Sequence, residues 1–258
     1  MINVPRLLSR GCSSKAKVGI GASRKLFVET SKRLSAVGCD VRLVRFADPT
    51  DLVASLMRSK IDVAVRGTLG SGETMKDIRL AFKLPVVMRT AIMQDSKGKN
   101  FLLTPVGIDE GNGIESRTEL VERTMAYFSA IRWRPRIGIL SKGRLEDVGR
   151  GEAIRSSIEE GELLAKMLTS KGYQARHYGI LIEDALRRSD LIVAPDGVTG
   201  NLIFRSIHFV GGGKAFGAPV VNLDKIFVDT SRAKTDFSDS VMIAAGMAEA
   251  GTPRSPRA

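Results

Sequence analysis

The sequence predicts an α/β protein of two lobes, each a mainly parallel sheet with helices on both faces. Short apolar runs alternate with amphipathic stretches in the order βαβαβαβ along the front of the chain. Such an order is typical of parallel strands joined by crossover helices. A polar, glycine-containing segment from Gln94 to Asn100 then interrupts the pattern, and a second alternation follows. This break predicts the division into lobes.

Glycine turns and helix-capping residues mark the front elements. Gly38 is placed to end the first helix, and Asp48 precedes Pro49 as a helix N-cap. We predict, in order, a strand at 17–22, a helix at 24–37, a strand at 41–46, a helix from 49, a strand at 61–65, a helix at 73–82 and a strand at 86–93.

The second alternation begins after residue 100. We predict a strand at 101–108, a helix at 115–131, a strand at 136–140, a helix at 151–168, an extended segment at 173–179, a helix at 183–188, strands at 191–194 and 220–223, a helix at 238–250 and a frayed tail at 251–258. The expected first lobe is therefore residues 1–95 plus 224–258, and the second is 96–223. We expect the active cleft between them.

The composition predicts a folded protein with a negatively charged ligand. Hydrophobic residues make up 43% of the 258 residues, and the net charge is +12. The charge favours an anionic small molecule such as a nucleotide, coenzyme A or phosphate. Nucleic acid is disfavoured, because no basic block is interleaved with aromatic residues. No apolar run is long enough to cross a bilayer, and residues 1–10 make a poor signal peptide, so a cytoplasmic protein without membrane association is expected.

Cysteine and histidine are scarce. Cys12 and Cys39 lie far apart without a metal-binding spacing, so both are expected to be reduced. The two histidines are too few for a histidine-based metal site, and no metal is expected.

The segment from Asp190 to Arg205 predicts an anion site. A buried strand, Leu191 to Ala194, leads into a loop with glycines, and a helix is expected to begin near Asn201. Free backbone N–H groups at a helix start attract anions, and ligands of α/β sheets bind at the carboxyl ends of strands. The candidate binding residues in this loop are Asp196, Gly197, Gly200 and Asn201.

A second glycine loop precedes the helix predicted at 73–82. Gly67, Gly70 and Gly72 give a G-x-x-G-x-G pattern, which is a weak dinucleotide signal and equally typical of a tight βα turn. Lys76 and Arg79 lie one helical turn apart after it. Together they could bind phosphate if they face a cleft, and they are solvated surface charges otherwise.

The loop from Val228 to Asp236 gathers a serine, an arginine and carboxylates. Arginine binds phosphate in a bidentate manner, and a carboxylate can serve as a general base toward a thiol. The candidate catalytic residues are Ser231, Arg232, Asp236 and Asp239. An ordinary polar loop that caps the following helix is the alternative interpretation.

Several of these motifs resemble one family. Ala194–Arg205, followed by Gly211–Lys214, is similar to the Pro-Asp-x-x-x-Gly-Asn-Ile element of the phosphate acetyl- and butyryltransferases, and also resembles the Asp-Gly-x-x-Gly-Asn loop of the phosphate:acyl-carrier acyltransferases. Ile137–Gly143 resembles the family's strand and Ser-x-x-Gly turn, which adds Ser141 to the candidate binding residues. The resemblance covers most of the chain from about Ile61 onward. It implies an isocitrate/isopropylmalate dehydrogenase-like fold and a homodimer.

The resemblance also implies roles for individual residues. Asp229-Thr-Ser231-Arg232 matches an Asp-Leu-Ser-Arg motif whose Ser and Arg lie at the family's active site. The aspartate that serves the family as base for coenzyme A corresponds to Asp236, or to Asp239 if one residue is inserted. Lys76 falls where the family has an arginine that binds the acyl phosphate. Lysine keeps the charge and lacks the bidentate fork.

Two functions are therefore expected as alternatives. The first is acyl transfer between phosphate and a thiol carrier such as coenzyme A, both of them substrates, with no tightly bound cofactor. The second follows because the front of the chain is shorter than in the transferases, and this abbreviated form resembles a methanogenesis marker family described as subunit X of a methyltransferase. That resemblance implies methyltransferase partner subunits. A nicotinamide dehydrogenase is disfavoured, because no acidic residue is placed for a ribose.

Overall fold

The computed structural model describes residues 2–131 and 133–251. The chain forms two compact units. We call residues 3–87, 126–131 and 216–251 the N-terminal unit, and residues 2, 88–125 and 133–215 the middle unit. The chain passes between them after residues 87 and 215, ahead of the lobe boundaries expected from the sequence. Of the tail expected at 251–258, only Gly251 lies within the described residues.

The front of the N-terminal unit is a regular alternation of helices and short strands. Its elements are α1 Val4–Cys12, β1 Lys17–Gly21, α2 Arg24–Ala36, β2 Arg42–Phe46, α3 Pro49–Met57, β3 Val63–Val65 and α4 Ser71–Phe82. The predicted cap of α3 is confirmed, since the Asp48 carboxylate accepts hydrogen bonds from the N–H groups of Thr50 and Asp51.

The described part of the middle unit contains five strands. Its elements are β4 Ala91–Gln94, β5 Asn100–Thr104, α5 Gly113–Tyr127, β6 Arg136–Ile139, a 3-10 segment Leu145–Arg150, α6 Glu152–Ser170, β7 Gln174–His177, α7 Ile182–Arg188, β8 Leu191–Val193, α8 Gly197–Arg205 and a π-helical turn Ser206–Val210. The end of α5 and a 3-10 turn, Ser129–Ile131, fall in the N-terminal unit.

The chain then returns to the N-terminal unit through its last elements, β9 Lys214–Pro219, β10 Ile226–Asp229 and α9 Ser238–Glu249. The strand order in that unit is β2-β1-β3-β10-β9, in which β10 and β9 pair antiparallel and the other neighbours pair parallel. The order in the middle unit is β4-β5-β8-β6-β7, in which β4 and β5 pair antiparallel and the other neighbours pair parallel. The predicted α/β class with mainly parallel sheets is confirmed.

An aliphatic core fills one face of the N-terminal sheet. Leu52 and Leu56 of α3, Ile78 of α4 and Phe227 of β10 are fully buried in one cluster. Their spacing on α3 follows the helical period, which is why the sequence pattern located this helix. Among the described residues, none of the helices combines the length and apolar character that crossing a bilayer requires.

Two predicted strands are wrong in position. The segment 86–93 is a continuous strand only from Ala91 onward, after an isolated bridge at Arg89, and the Val86 carbonyl accepts from the Asn222 side chain. The segment expected to be extended at 220–223 is instead the connection between β9 and β10. The glycines around β9 hid its apolar pattern in the sequence.

The prediction for the cysteines is also wrong, because Cys12 and Cys39 form a disulfide bond with a distance of 4.4 Å between their Cα atoms. Cys12 ends α1, a helix that the sequence pattern did not predict. Cys39 follows the turn after α2, and its sulfur lies 3.4 Å from that of Met242 on α9. The packing of α1 and α2 beside α9 thus brings together two residues whose spacing along the chain gave no sign of a pair.

Reduction of this disulfide should destabilise the N-terminal unit. A loop of this size predicts a loss of about 3 kcal/mol of unfolding free energy in the chain-entropy account. Urea unfolding should show that loss when dithiothreitol is added to the wild type. Cys12→Ser and Cys39→Ser should show the same loss and no response to dithiothreitol. A wild-type midpoint that is insensitive to the reductant would contradict the assignment.

Candidate functional site

The candidate site in the N-terminal unit lies at the edge of the sheet where the carboxyl ends of three strands meet. β1, β3 and β10 are parallel neighbours, so the loops that follow them leave the sheet on the same side. The loop after β3 is residues 66–70, and the loop after β10 carries Ser231 and Arg232. Ligands of open α/β sheets bind at such an edge.

A buried arginine ties these two loops together. Arg66 is 4% exposed, and its Nε donates to the carboxylate of Asp229. Its Nη2 donates to the carbonyl oxygen of Thr230, and its Nη1 donates to that of Leu69 at 2.5 Å. The Thr230 hydroxyl also donates to the Gly67 carbonyl at 3.0 Å. The start of α4 and the Ser231 loop are therefore fixed next to each other.

The glycines of the predicted G-x-x-G-x-G pattern have unequal roles. Gly67 has a φ of +61°, and a Cβ there would lie 1.9 Å from the Gly21 carbonyl oxygen, so only glycine fits. Gly70 is the N-cap of α4 and has no side chain to accept from the first amides. A Cβ at Gly72 would meet open space. The pattern is explained by a tight βα turn and an uncapped helix start.

The start of α4 carries both favourable and opposing charge for an anion. Its first amides have no side-chain acceptor from the N-cap, which leaves partial positive charge there. The Glu73 carboxylate folds back toward Gly70 and would have to move aside for an anion. Lys76 and Arg79 are exposed on the same helix.

The Ser231 loop presents a cation to solvent. Ser231 is half-buried, and its Oγ accepts from the Ala233 N–H at 3.2 Å. Arg232 is exposed, and no carboxylate in the described part of the chain forms an ion pair with it. Its guanidinium is therefore available to a ligand.

The two candidate bases are both engaged. The Asp236 carboxylate accepts from the N–H and Oγ of Ser238 and pairs with Arg33 at 2.7 Å. Burial favours the protonated form of Asp236, but the Ser238 hydrogen bonds and the Arg33 charge outweigh it and lower the pKa. Asp239 pairs with Lys234 at 2.5 Å.

The other candidate residues lie in the middle unit, again after parallel strands. Ser141 follows β6, and Asp196 follows β8. Ser141 is 3% exposed, and its hydroxyl donates to the Gly143 carbonyl at 2.9 Å. The Asn201 side chain donates to the carbonyl of Val106 at 2.9 Å. Ser141 and Asn201 are thus already bonded to the protein backbone.

The predicted helix start near Asn201 is wrong, because α8 begins at Gly197 and Asp196 is its N-cap. The Asp196 carboxylate accepts from the Thr199 N–H at 2.7 Å, and the Gly197 N–H donates to the Glu110 carbonyl. A Cβ at Gly197 would lie 1.7 Å from the Gly107 carbonyl oxygen.

Gly200 is equally constrained, since a Cβ there would lie 1.8 Å from the Pro105 carbonyl oxygen. Both glycines therefore allow α8 to pack on the loop after β5. Gly197 and Gly200, predicted as binding residues, thus contact backbone carbonyls of this loop.

An ion pair covers the start of α8. Lys142 Nζ lies 2.9 Å from the Asp196 carboxylate. Burial raises the pKa of Asp196, but the hydrogen bonds from Thr199 and Lys142 outweigh this effect, and the pKa is lowered overall. An anion at this helix start would have to displace the Asp196 carboxylate.

Sequence reasoning missed Arg66, Lys142 and His177. Arg66 directly follows a predicted strand, but its partner Asp229 is 163 residues away along the chain. His177 Nε2 lies 2.9 Å from Ser141 Oγ, a contact that only the pairing of β6 with β7 creates. Within the described residues, no group of three or more His, Cys, Asp and Glu side chains could hold a metal ion.

Some known proteins resemble the chain in sequence, and others resemble it in fold alone. No family model matches it. A protein of Methanosarcina acetivorans with the name "Putative methyltransferase mtx subunit X" is 38% identical over 229 residues, which cover 88% of this chain and 82% of that protein. An "Uncharacterized methyltransferase" of Methanopyrus kandleri is 39% identical over 216 residues, which cover 81% and 84%.

The fold is shared with a more distant enzyme. The branched-chain phosphotransacylase of Enterococcus faecalis V583 superposes with a TM-score of 0.65 at 18% identity, over 90% of this chain and 99% of that one. At this identity the likeness shows the fold. It confirms the fold that the sequence motifs implied.

Replacement of Arg66 should destabilise the protein strongly. Arg66→Met removes the charged partner of a buried carboxylate, Asp229, and such losses cost about 3–5 kcal/mol. Chemical unfolding measures the change. Arg79→Met, at an exposed position of α4, is the matched control and should change the unfolding free energy by less than about 0.5 kcal/mol. Equal effects of the two substitutions would show that Arg66 does not fix these loops.

Asp196 should make stability depend on pH. A carboxylate with a lowered folded pKa stabilises the fold above its unfolded pKa of about 3.9, and this contribution is lost as the pH falls through the folded pKa. Asp196→Asn keeps an acceptor for the Thr199 N–H and loses the charge. It should be less stable than the wild type by about 1 kcal/mol at pH 6, and the gap should close below about pH 4. A gap that stays constant down to pH 2.5 would contradict this.

Proposed function

The chain belongs to the family of the proteins named "Putative methyltransferase mtx subunit X", and we propose that it is a transferase that moves an acyl group between phosphate and a thiol carrier such as coenzyme A. One observation carries the proposal. The uncapped start of α4 is fixed beside the Ser231–Arg232 loop by Arg66, which puts helix amides and a guanidinium on one edge of a sheet. Both groups favour phosphate.

The fold supports the choice of reaction. The superposed enzyme from Enterococcus faecalis is named a phosphotransacylase, and it spans nearly the same length of chain. Acyl transfer to or from phosphate needs a group that holds phosphate and one that takes a thiol proton, and the N-terminal unit offers both. The +12 net charge would draw anionic substrates to the protein.

Four candidate residues of the N-terminal unit have roles in binding and activating the phosphate side of this reaction. Arg232 and Lys76 bind the phosphate, and Arg79 adds positive charge one turn further along α4. The Ser231 hydroxyl donates to the oxygen that develops charge. The thiolate of the carrier attacks the acyl carbon, the bond from that carbon to the phosphate oxygen breaks, and phosphate leaves.

A carboxylate takes the thiol proton before this attack. The lowered pKa of Asp236 makes it a weak base, because its charge is already stabilised by Ser238 and Arg33. Asp239 is the better candidate, since a ligand phosphate could compete for its partner, Lys234.

The names of the curated relatives favour a second function. Both relatives carry the name methyltransferase, and one is a subunit X. The chain would then bind an anionic ligand within a methyl-transfer assembly and depend on partner subunits. Purification from a native host separates the two functions, because the accessory function requires stoichiometric partners and the acyltransferase requires none beyond a second copy of this chain.

Replacement of Arg232 should remove phosphate binding and leave the fold intact. Arg232 is exposed, so Arg232→Ala should leave the melting temperature nearly unchanged. Loss of a charge-assisted hydrogen bond predicts phosphate binding that is about 10- to 100-fold weaker. Calorimetric titration with phosphate measures binding, and the hydroxamate assay measures acyl phosphate formed from acyl-coenzyme A and phosphate.

Arg58→Ala is the matched control for charge. Arg58 is also exposed, but it follows α3 and lies away from the loops after β3 and β10. It should leave both binding and turnover unchanged. Equal losses for Arg58→Ala and Arg232→Ala, or no turnover of the folded wild type with short acyl chains, would count against the proposal.

A further inference from the structure

Three side chains of the middle unit form a hydrogen-bonded row that the phosphate site does not use. Ser141 Oγ lies 2.9 Å from His177 Nε2, and His177 Nδ1 lies 2.9 Å from the Glu162 carboxylate. A hydroxyl, an imidazole and a carboxylate in this order are the parts of a serine nucleophile with its base and its orienting acid. We propose that they form a second acyl-transfer centre, in which Ser141 attacks small acyl esters or thioesters.

The fold holds the row in place. Ser141 lies just beyond the carboxyl end of β6, where a strand turns sharply, and its N–H donates to the Gly179 carbonyl at 2.9 Å. His177 ends β7, the parallel neighbour of β6. The imidazole packs against Gly161 of α6, where a Cβ would lie 2.7 Å from Nε2. Glycine at that position leaves room for the ring.

The three groups differ in exposure, and the nucleophile Ser141 is 3% exposed. The side chain of His177 is 4% exposed, so its ring is shielded from water. The Glu162 side chain is 41% exposed and keeps its charge at low cost. When the ring N–H at Nδ1 donates to this carboxylate, Nε2 is the atom that can accept the proton of Ser141.

The serine hydroxyl has one hydrogen and two acceptors within reach. It can donate to the Gly143 carbonyl or to His177 Nε2, each at 2.9 Å. A turn of the hydroxyl about its C–O bond selects between them without any movement of heavy atoms. When the hydrogen points to Nε2, His177 is placed to act as general base.

The reaction that follows is balanced. Ser141 Oγ forms a bond to the acyl carbon of the ester or thioester, its proton passes to His177 Nε2, and the bond from carbon to the leaving oxygen or sulfur breaks. The leaving group takes the proton from His177 as an alcohol or thiol. Water then attacks the acyl-serine, gives its proton to His177 and releases a carboxylic acid, and the proton returns to Ser141.

The backbone N–H after the nucleophile is the expected donor to the oxyanion. The Lys142 N–H donates at present to the Ser157 hydroxyl at 3.1 Å, a neutral acceptor that a charged oxygen would replace. The centre is independent of the phosphate-binding role of Arg232, so either proposal can fail alone.

A fluorophosphonate probe tests the centre directly, because it reacts only with an activated serine. The folded wild type should acquire a single adduct, located on Ser141 by peptide mass spectrometry. His177→Asn should slow labelling by at least about 100-fold, since the general base is lost. Glu162→Gln should slow it about 10-fold and Ser141→Ala should abolish it. Ser129→Ala, at an exposed serine, is the matched control and should label at the wild-type rate.

Three results would overturn the proposal: no adduct on folded wild type, an adduct on another serine, or an adduct on Ser141 at an unchanged rate in His177→Asn. Thermal melting verifies that each variant is folded. If His177→Asn does not fold, the labelling rate of Glu162→Gln decides, because the half-exposed Glu162 can be replaced with little disturbance. A slowed rate supports the proposal, and an unchanged rate overturns it.

Discussion

The contact on which the N-terminal unit depends is the buried guanidinium of Arg66. A charge that is shielded from water must be matched by acceptors, and Arg66 finds them in the carboxylate of Asp229 and in two backbone carbonyls. These acceptors lie at the end of β10 and in the loops that follow β3 and β10. The contacts that pair this one guanidinium therefore fix the position of Ser231 and Arg232 relative to the start of α4. The exposed side chains of Lys76 and Arg232 can change conformation, but Arg66 holds the backbone segments that carry them.

The two units differ in how the N-termini of α8 and α4 are capped. In the middle unit, α8 begins with a capping carboxylate, Asp196, which is itself paired with Lys142, and two glycines that pack on a neighbouring loop. The N–H groups of Gly197 and Thr199 already donate to the Glu110 carbonyl and to the Asp196 carboxylate. In the N-terminal unit, α4 begins with Gly70, which offers no side chain. We therefore propose the start of α4 as the receptor for an anion, although the sequence motif around α8 is the more conspicuous of the two.

The sequence could predict the fold because its signals are local. The period of Leu52 and Leu56, the Asp48–Pro49 start and the glycine after a strand are each contained in a few neighbouring residues. The Arg66–Asp229 contact, the Cys12–Cys39 disulfide and the Ser141–His177 hydrogen bond are not, because each joins residues that only the packing of strands and helices brings together. Ser141 was found through a resemblance, and its partner His177 could not be. The sequence also singled out Gly197 and Gly200. Their packing against the loop after β5 could not be predicted, because that loop is distant in sequence.

A crystal structure of the protein soaked with phosphate tests the central claim most directly. The account predicts a bound phosphate within hydrogen-bond distance of the first amides of α4 and of the Arg232 guanidinium, with the Glu73 carboxylate turned away. Phosphate bound elsewhere, with Glu73 still folded against Gly70 and Arg232 extended into solvent, would contradict it.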